Sequence, residues 1–138
     1  MISMIENYIP NISQISFYSD RLFFRPMHIS DAKTIVNWRN SSLIRDFSFD
    51  NKMISIDHHK KWFISTRGYR YDYIFCDKEN QVPIGCMSYK ISKYLKKSIS
   101  NRIEMGKYIG EEVYLGRGFA QEATKKWLEI GHEYFKFD

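Results

Sequence analysis

Cysteine is scarce in this chain, and long uninterrupted hydrophobic runs are missing. The 138 residues include only two cysteines, Cys76 and Cys86, which are too few for a disulfide framework and lack the spacing of a metal site. We expect both to be small buried residues of strands. No segment approaches the length needed to cross a bilayer, and residues 1–14 lack the basic flank and apolar core of a signal peptide. The composition therefore favours a cytoplasmic protein without a metal site or a membrane partner.

A dense run of basic residues is also missing, although 21 Lys and Arg against 16 Asp and Glu give a net charge of +5. Nucleic-acid-binding modules concentrate their basic residues in a stripe, whereas here the excess is dispersed along the chain. With 43% hydrophobic and 17% aromatic residues, the chain can bury the core of a single domain. We therefore expect a ligand such as a phosphate-bearing small molecule and no nucleic-acid partner. Strongly salt-dependent binding of oligonucleotides would contradict that expectation.

The hydrophobic periodicity predicts the order strand, two helices, three strands, helix. Alternation predicts strands at residues 21–27, 71–77, 82–91 and 98–110. Helical spacing predicts one helix capped by Ser30 or Asp31, a second capped by Ser55, and a third from about Phe119 to Tyr134. The third helix carries a continuous apolar stripe, Ala120, Ala123, Trp127, Ile130 and Tyr134. We expect an α+β fold in α/β/α layers, preceded by an N-terminal arm at residues 1–20.

Two glycines stand where the last predicted strand gives way to the last helix. Gly116 and Gly118 lie in Leu-Gly-Arg-Gly-Phe-Ala, where absent side chains and the free amides of a helix start favour an anion. A P-loop would end in Gly-Lys-Ser/Thr, and a dinucleotide fingerprint would have a third glycine in place of Gln121. Neither pattern is present. The segment is thus a different anion loop or a tight turn between a strand and a helix.

Residues 115–120 resemble the pyrophosphate-binding motif Gln/Arg-x-x-Gly-x-Gly/Ala of the GNAT superfamily of N-acetyltransferases, and Gln-Glu-Ala after them is similar to the helix start of that family. Leu115 stands where Gln or Arg is usual, which implies the loss of one auxiliary contact. Over residues 21–138 the resemblance implies the GNAT acyl-CoA N-acyltransferase fold, with a mixed, mostly antiparallel sheet and acetyl-CoA as co-substrate. The residues that it assigns to acetyl-CoA are Met105, Tyr108, Ile109, Leu115, Gly116, Arg117, Gly118, Phe119 and Ala120.

Glu104 is the candidate catalytic base in the strand that the resemblance places beside the thioester. Transfer to an amine requires loss of a proton from that amine, and a carboxylate can accept the proton directly or through water. Gly106 in the same strand is typical of a bulge or a close approach. A structural or solvated glutamate is the alternative role for Glu104.

The front half of the chain resembles the amino-sugar-nucleotide acetyltransferases of the pseudaminic-acid type. The matching segments are Trp-Arg-Asn at 38–40, Ile-Arg at 44–45 and Ile-Ser-x-x-x-His-x-x-Trp-Phe at 54–63. Arginine suits a diphosphate, and Asn and His suit sugar hydroxyls. The resemblance implies a primary amine of a nucleotide sugar as acceptor, contacted by Trp38, Arg39, Asn40, Arg45 and His59. An alternative acceptor is a protein N-terminal amine, since Ser19–Ala32 resembles the opening of ribosomal-protein acetyltransferases.

A full domain of this family continues with a fifth strand, a further helix and more strands, which the 138 residues do not include. The resemblance therefore implies a partial domain over residues 21–138, without an assigned general acid and with an open sheet edge that a homodimer could cover. A truncated, non-catalytic remnant of the fold is the remaining hypothesis.

Overall fold

The computed structural model describes residues 15–45, 52–92 and 102–135. Five strands of this part form one sheet in chain order, and all adjacent pairs are antiparallel. The strands are β1 (Phe17–Tyr18), β2 (Leu22–Pro26), β3 (Arg70–Asp77), β4 (Pro83–Ser92) and β5 (Arg102–Ile109). The α-helices of the described ranges are α1 (Ala32–Asn40), α2 (Ser42–Arg45), α3 (Ile56–Thr66) and α4 (Phe119–Ile130), and a π-helical turn, Gly131–Phe135, extends α4.

The predicted order of elements is confirmed, and the predicted strands overlap β2, β3, β4 and β5. Residues 98–101 of the last predicted strand lie outside the described residues. Two short elements were not predicted. β1 lies within the expected arm and pairs with β2, and α2 restarts helical structure directly after Ser41. The boundary between arm and domain stays a prediction.

The helix starts agree with the sequence at one position and differ at another. The hydroxyl of Ser55 accepts the amide of His58 at 3.0 Å, as predicted for the cap of α3. Asp31 is the N-cap residue of α1, one of the two predicted positions, but its side chain makes no cap bond to α1. Its carboxylate accepts the amide of His28, which caps the preceding 3-10 turn, and two bonds from Arg25 at 2.8 and 2.9 Å.

One face of the sheet is covered by α4. Trp127 lies fully buried at the centre of this contact, stacked on Tyr89 with ring centroids 4.5 Å apart. Its indole donates to the carbonyl of Ser88 at 3.1 Å, and the Tyr89 hydroxyl donates to the carbonyl of Trp127 at 2.5 Å. The predicted stripe is confirmed, with Ala123 and Ile130 buried and its two end residues partly buried against the same core. These contacts hold α4 on the sheet.

The other face is covered by α1 and α3. Its buried core consists of Met27, Ile35, Trp38, Ile74, Cys76 and Cys86, with Phe23, Phe63 and Tyr108 packed against it. Both cysteines are free and buried, as predicted, and burial raises the pKa of both thiols. The described elements therefore form the expected α/β/α layers.

β5 is an outer strand of the described sheet. Its Met105 side chain is 40% exposed. A homodimer across this edge stays a prediction. None of the helices in the described ranges is long and apolar enough to span a membrane.

Candidate active site

The glycine loop, residues 115–118, is a turn that enters α4 through left-handed backbone. Gly116 has φ 71° and Gly118, the N-cap of α4, has φ 81°, a region that side chains with a Cβ rarely adopt. The helical ladder starts only with the amide of Glu122, which bonds to the carbonyl of Gly118 at 3.1 Å. Within the described residues, the amides of 116–121 have no acceptor. Free amides at the positively polarised end of a helix are the local structure that binds phosphate groups.

The space beside the loop is open on the side of Gly116. A Cβ placed there would meet no atom within 4 Å. Leu115 is exposed, whereas Phe119 is buried in the core and so presents only its backbone. Arg117 folds back on its own loop, with its guanidinium 5.4 Å from the Tyr114 ring and 5.3 Å from the Phe119 ring. The loop can therefore offer main-chain amides without steric obstruction at Gly116.

A set of polar contacts to which the sequence analysis gave no role holds this loop against the sheet. The carboxylate of Glu122 accepts from the hydroxyl of Ser19, and from the amide and the Nε of Arg21. Burial by itself would raise the pKa of Glu122, but these hydrogen bonds outweigh it and the pKa lies below its ordinary value of 4.5. The partners are separated by about a hundred residues, so no local pattern reveals them.

Glu104 is exposed on β5, opposite Lys90 of β4, which in turn lies opposite Arg70 of β3. Cross-strand neighbours share a face, so these three charged residues form a row on the face covered by α1 and α3. Gly106 does not mark a bulge, because the β4–β5 register is continuous. It marks a close approach, since a Cβ there would lie 2.6 Å from the hydroxyl of Ser88.

The side chains of Tyr108 and Ile109, which the resemblance assigns to the cofactor, pack into the protein, whereas the backbone of β5 is exposed at the sheet edge. Ile109 is buried, and the Tyr108 ring packs edge-on against Trp38 with its hydroxyl accepting from the Cys86 thiol at 3.4 Å. Burial raises the pKa of Tyr108, so its hydroxyl stays protonated. The outward N–H and C=O groups of β5 have no partner strand among the described residues. The backbone of β5, rather than these two side chains, is thus accessible to a ligand.

Two of the predicted acceptor contacts are engaged in holding the structure together. Trp38 is only 4% exposed, and its indole donates to Glu111 at 2.9 Å. The Asn40 side-chain amide bonds to both the N–H and the C=O of Ile54, at 2.8 Å each. Asn40 therefore fixes the segment that leads into α3.

Arg39 and His59 come close enough to interact electrostatically. His59 is 2% exposed, and its Nε2 has no hydrogen-bond partner within the described part of the chain. Burial, followed by the charge of Arg39, lowers the pKa of His59. The Nη1 of Arg45 lies 2.8 Å from the sulfur of Met53.

A buried ion cluster beside α3 was also missed by sequence reasoning. The carboxylate of Asp72 accepts from Arg67 at 2.6 Å and from two nitrogens of Arg70 at 2.9 Å each. The two guanidiniums stack over the rings of Phe63 and Trp62. Two cations around one carboxylate leave this part of the face with a positive excess.

The profile of the acetyltransferase (GNAT) domain family matches residues 21–138. The chain belongs to the GNAT acetyltransferase family. It is therefore an N-acetyltransferase with the GNAT fold, as the resemblance implied, and acetyl-CoA is the acetyl donor typical of the family. Among the residues that the structure describes, no group of three or more His, Cys, Asp and Glu is placed to hold a metal ion.

Solved GNAT structures show the same fold at low sequence identity. FdhC, described as a nucleotide-linked sugar GNAT, is 18% identical with a TM-score of 0.69, covering 90% of this chain and 69% of that one. Ribosomal-protein-S5-alanine acetyltransferase from Vibrio fischeri is 19% identical with a TM-score of 0.66 and coverages of 86% and 68%. Spermidine N-acetyltransferase from Vibrio cholerae, in complex with CoA and spermine, is 19% identical with a TM-score of 0.67 and coverages of 81% and 64%. The search of curated proteins found no match.

Proposed function

We propose that this GNAT domain transfers the acetyl group of acetyl-CoA to a primary amine of an amino-sugar nucleotide. The observation that carries the proposal is the run of free amides at residues 116–121, at the start of α4 and beside the unobstructed position of Gly116. The CoA diphosphate is the anion that these amides would bind, mainly through backbone, so Leu115 in place of Gln or Arg costs one side-chain contact only. Acetyl-CoA supplies an activated acetyl group, and the protein supplies its position.

Glu104 would accept the proton of the attacking amine. It lies on β5, the outer strand whose outward backbone groups have no partner strand among the described residues. Its side chain is exposed and so accessible to an acceptor. A general base must lie within hydrogen-bond reach of the amine, directly or through one water. Proton removal leaves the nitrogen lone pair free to form the new amide bond while the thioester bond breaks.

The charge pattern around Glu104 supports an anionic acceptor. Lys90 is its cross-strand neighbour, Arg70 is next in the same row, and Arg67 joins Arg70 at Asp72. A nucleotide sugar carries a diphosphate that such cations attract, whereas a polycation such as spermine would be repelled. The described face therefore favours the nucleotide-sugar acceptor over a polyamine.

Titration calorimetry with acetyl-CoA, followed by turnover assays with UDP-linked amino sugars, tests the proposal. With acetyl-CoA saturating, Glu104→Gln should reduce kcat/KM for the amine by about a hundredfold while the Kd for acetyl-CoA stays constant. Glu79→Gln is the matched control, because Glu79 is an exposed carboxylate in the turn between β3 and β4. Equal kcat/KM in the wild type and the Glu104→Gln variant would exclude Glu104 as the base. A protein that neither binds nor uses acetyl-CoA would refute the proposed function.

A further inference from the structure

We propose that Arg21 and Glu122 form a clamp that holds the glycine loop in its anion-binding conformation, and that both are positioning residues for acetyl-CoA. The inference rests on the proposed function, because it assigns the CoA diphosphate to this loop. Both residues lie outside residues 115–120, and neither needs to touch the reacting atoms.

Glu122 joins the first turn of α4 to the turn between β1 and β2. Its carboxylate accepts from the Ser19 hydroxyl at 2.5 Å, the Arg21 amide at 2.7 Å and the Arg21 Nε at 2.8 Å. Hydrogen bonds to an ionised carboxylate are roughly twice as strong as neutral ones. The start of α4 is thus fixed to the sheet at the level of the loop.

The remaining atoms of the Arg21 guanidinium contact the loop and the first residue of α4. Its Nη1 donates to the carbonyl of Arg117 at 3.0 Å, and its Cζ lies 4.0 Å from the centre of the Phe119 ring. Between these residues, a Cβ on Gly118 would come within 3.3 Å of Nη2. The Arg21 side chain therefore contacts the residues on both sides of Gly118, directly beside the free amides.

Such a restraint matters because two of the loop residues are glycines. Glycine has the largest conformational freedom of any residue, so an unrestrained loop would lose more entropy when its amides converge on an anion. Holding the loop in its bound conformation before binding lowers that cost. The clamp would therefore act on the affinity for the diphosphate and leave the chemical step unchanged.

The clamp also compensates a charge. Glu122 places a carboxylate in the first turn of the helix that should attract an anion, and the Arg21 guanidinium lies against it at 2.8 Å. Without that cation, the carboxylate would repel the CoA phosphates. This predicts that removing Arg21 alone is worse for binding than removing both charges.

The test compares Arg21→Lys and Glu122→Gln with a matched pair elsewhere. Arg25 and Asp31 form a bidentate arginine–carboxylate pair elsewhere in the fold, so Arg25→Lys and Asp31→Asn are the controls. We expect KM for acetyl-CoA to rise about tenfold in each clamp variant, with kcat and the acceptor KM unchanged. With S-acetylpantetheine, which lacks the diphosphate, the same variants should have wild-type kcat/KM. The control variants should be less stable in urea, but their kinetic constants for acetyl-CoA and for S-acetylpantetheine should equal those of the wild type.

A second comparison tests the charge argument and does not depend on the lysine variant. Arg21→Gln should weaken acetyl-CoA binding more than the double variant Arg21→Gln/Glu122→Gln, and the difference should shrink at high salt. Equal KM for acetyl-CoA in the wild type and both clamp variants would overturn the clamp while leaving the proposed function intact. Equal losses with acetyl-CoA and S-acetylpantetheine would also overturn it, since they indicate a general structural role. A wild type that does not use acetyl-CoA would refute the proposed function itself and, with it, the clamp.

Discussion

The substitution Gly116→Ala separates the backbone strain in the loop from its role in binding. Gly116 has φ 71°, and a methyl group there would meet no atom within 4 Å, so packing adds nothing to its cost. The left-handed conformation costs a residue with a Cβ roughly 1 kcal/mol more than glycine. For a domain of this size that corresponds to a decrease in Tm of roughly 3–6 °C. The same methyl group would occupy the open side of the loop, and we expect acetyl-CoA to bind about tenfold more weakly, because its phosphates could no longer approach the backbone.

Urea denaturation measures the first effect of Gly116→Ala, and titration calorimetry with acetyl-CoA measures the second. Gln81→Gly is the matched control, because Gln81 also has a positive φ, 63°, but lies in the connection between β3 and β4. It should gain stability without changing the affinity for acetyl-CoA. A Gly116→Ala variant as stable as the wild type would refute the left-handed geometry of the loop. The expected loss of stability with an unchanged Kd would show that the diphosphate binds elsewhere.

Three further predictions concern the face covered by α1 and α3. Gly110→Ala should destabilise the fold by about 2–3 kcal/mol in urea, since its Cβ would lie 2.1 Å from the Trp38 ring; an unchanged urea midpoint would contradict this contact. Asn40→Ala should cost about 2 kcal/mol, because two hydrogen bonds to Ile54 are lost; a cost close to zero would mean that they contribute nothing. The lowered pKa of His59 means that the unfolded chain binds a proton that the folded chain does not, so stability should fall as the pH falls below 6.5. His59→Gln should flatten the pH dependence of the urea midpoint between pH 7.5 and about 5.5, and an unchanged slope would exclude His59 as its source.

Local signals in the sequence were sufficient for the main elements. The alternating strands and the stripe of α4 were predicted because burial of one face imposes a period on the residues that form it. The cap by Ser55 was predicted for a similar reason, since its partner lies three residues away. β1 was not predicted, because a strand of two residues is too short to show a periodic pattern.

Contacts between distant segments were not accessible in the same way. Trp38 and Asn40 have the chemistry to contact a sugar, but the structure uses their polar atoms for Glu111 and for backbone 14 residues along the chain. Residue type alone cannot tell whether a hydrogen-bonding group is directed at a ligand or at the protein.

The row of charged residues on the face covered by α1 and α3 results from the register of the strands, and no local sequence motif predicts it. Arg70, Lys90 and Glu104 come from three different strands, and they share a row only because β3, β4 and β5 pair as they do. A slip of one residue at β5 would turn Glu104 to the face of α4 and bring a neighbour that is not a carboxylate into the row. Gly106 helps to fix that register, since a side chain at this position would collide with Ser88. Packing at Gly106 therefore helps to position the proposed base, which lies two residues away on the same strand.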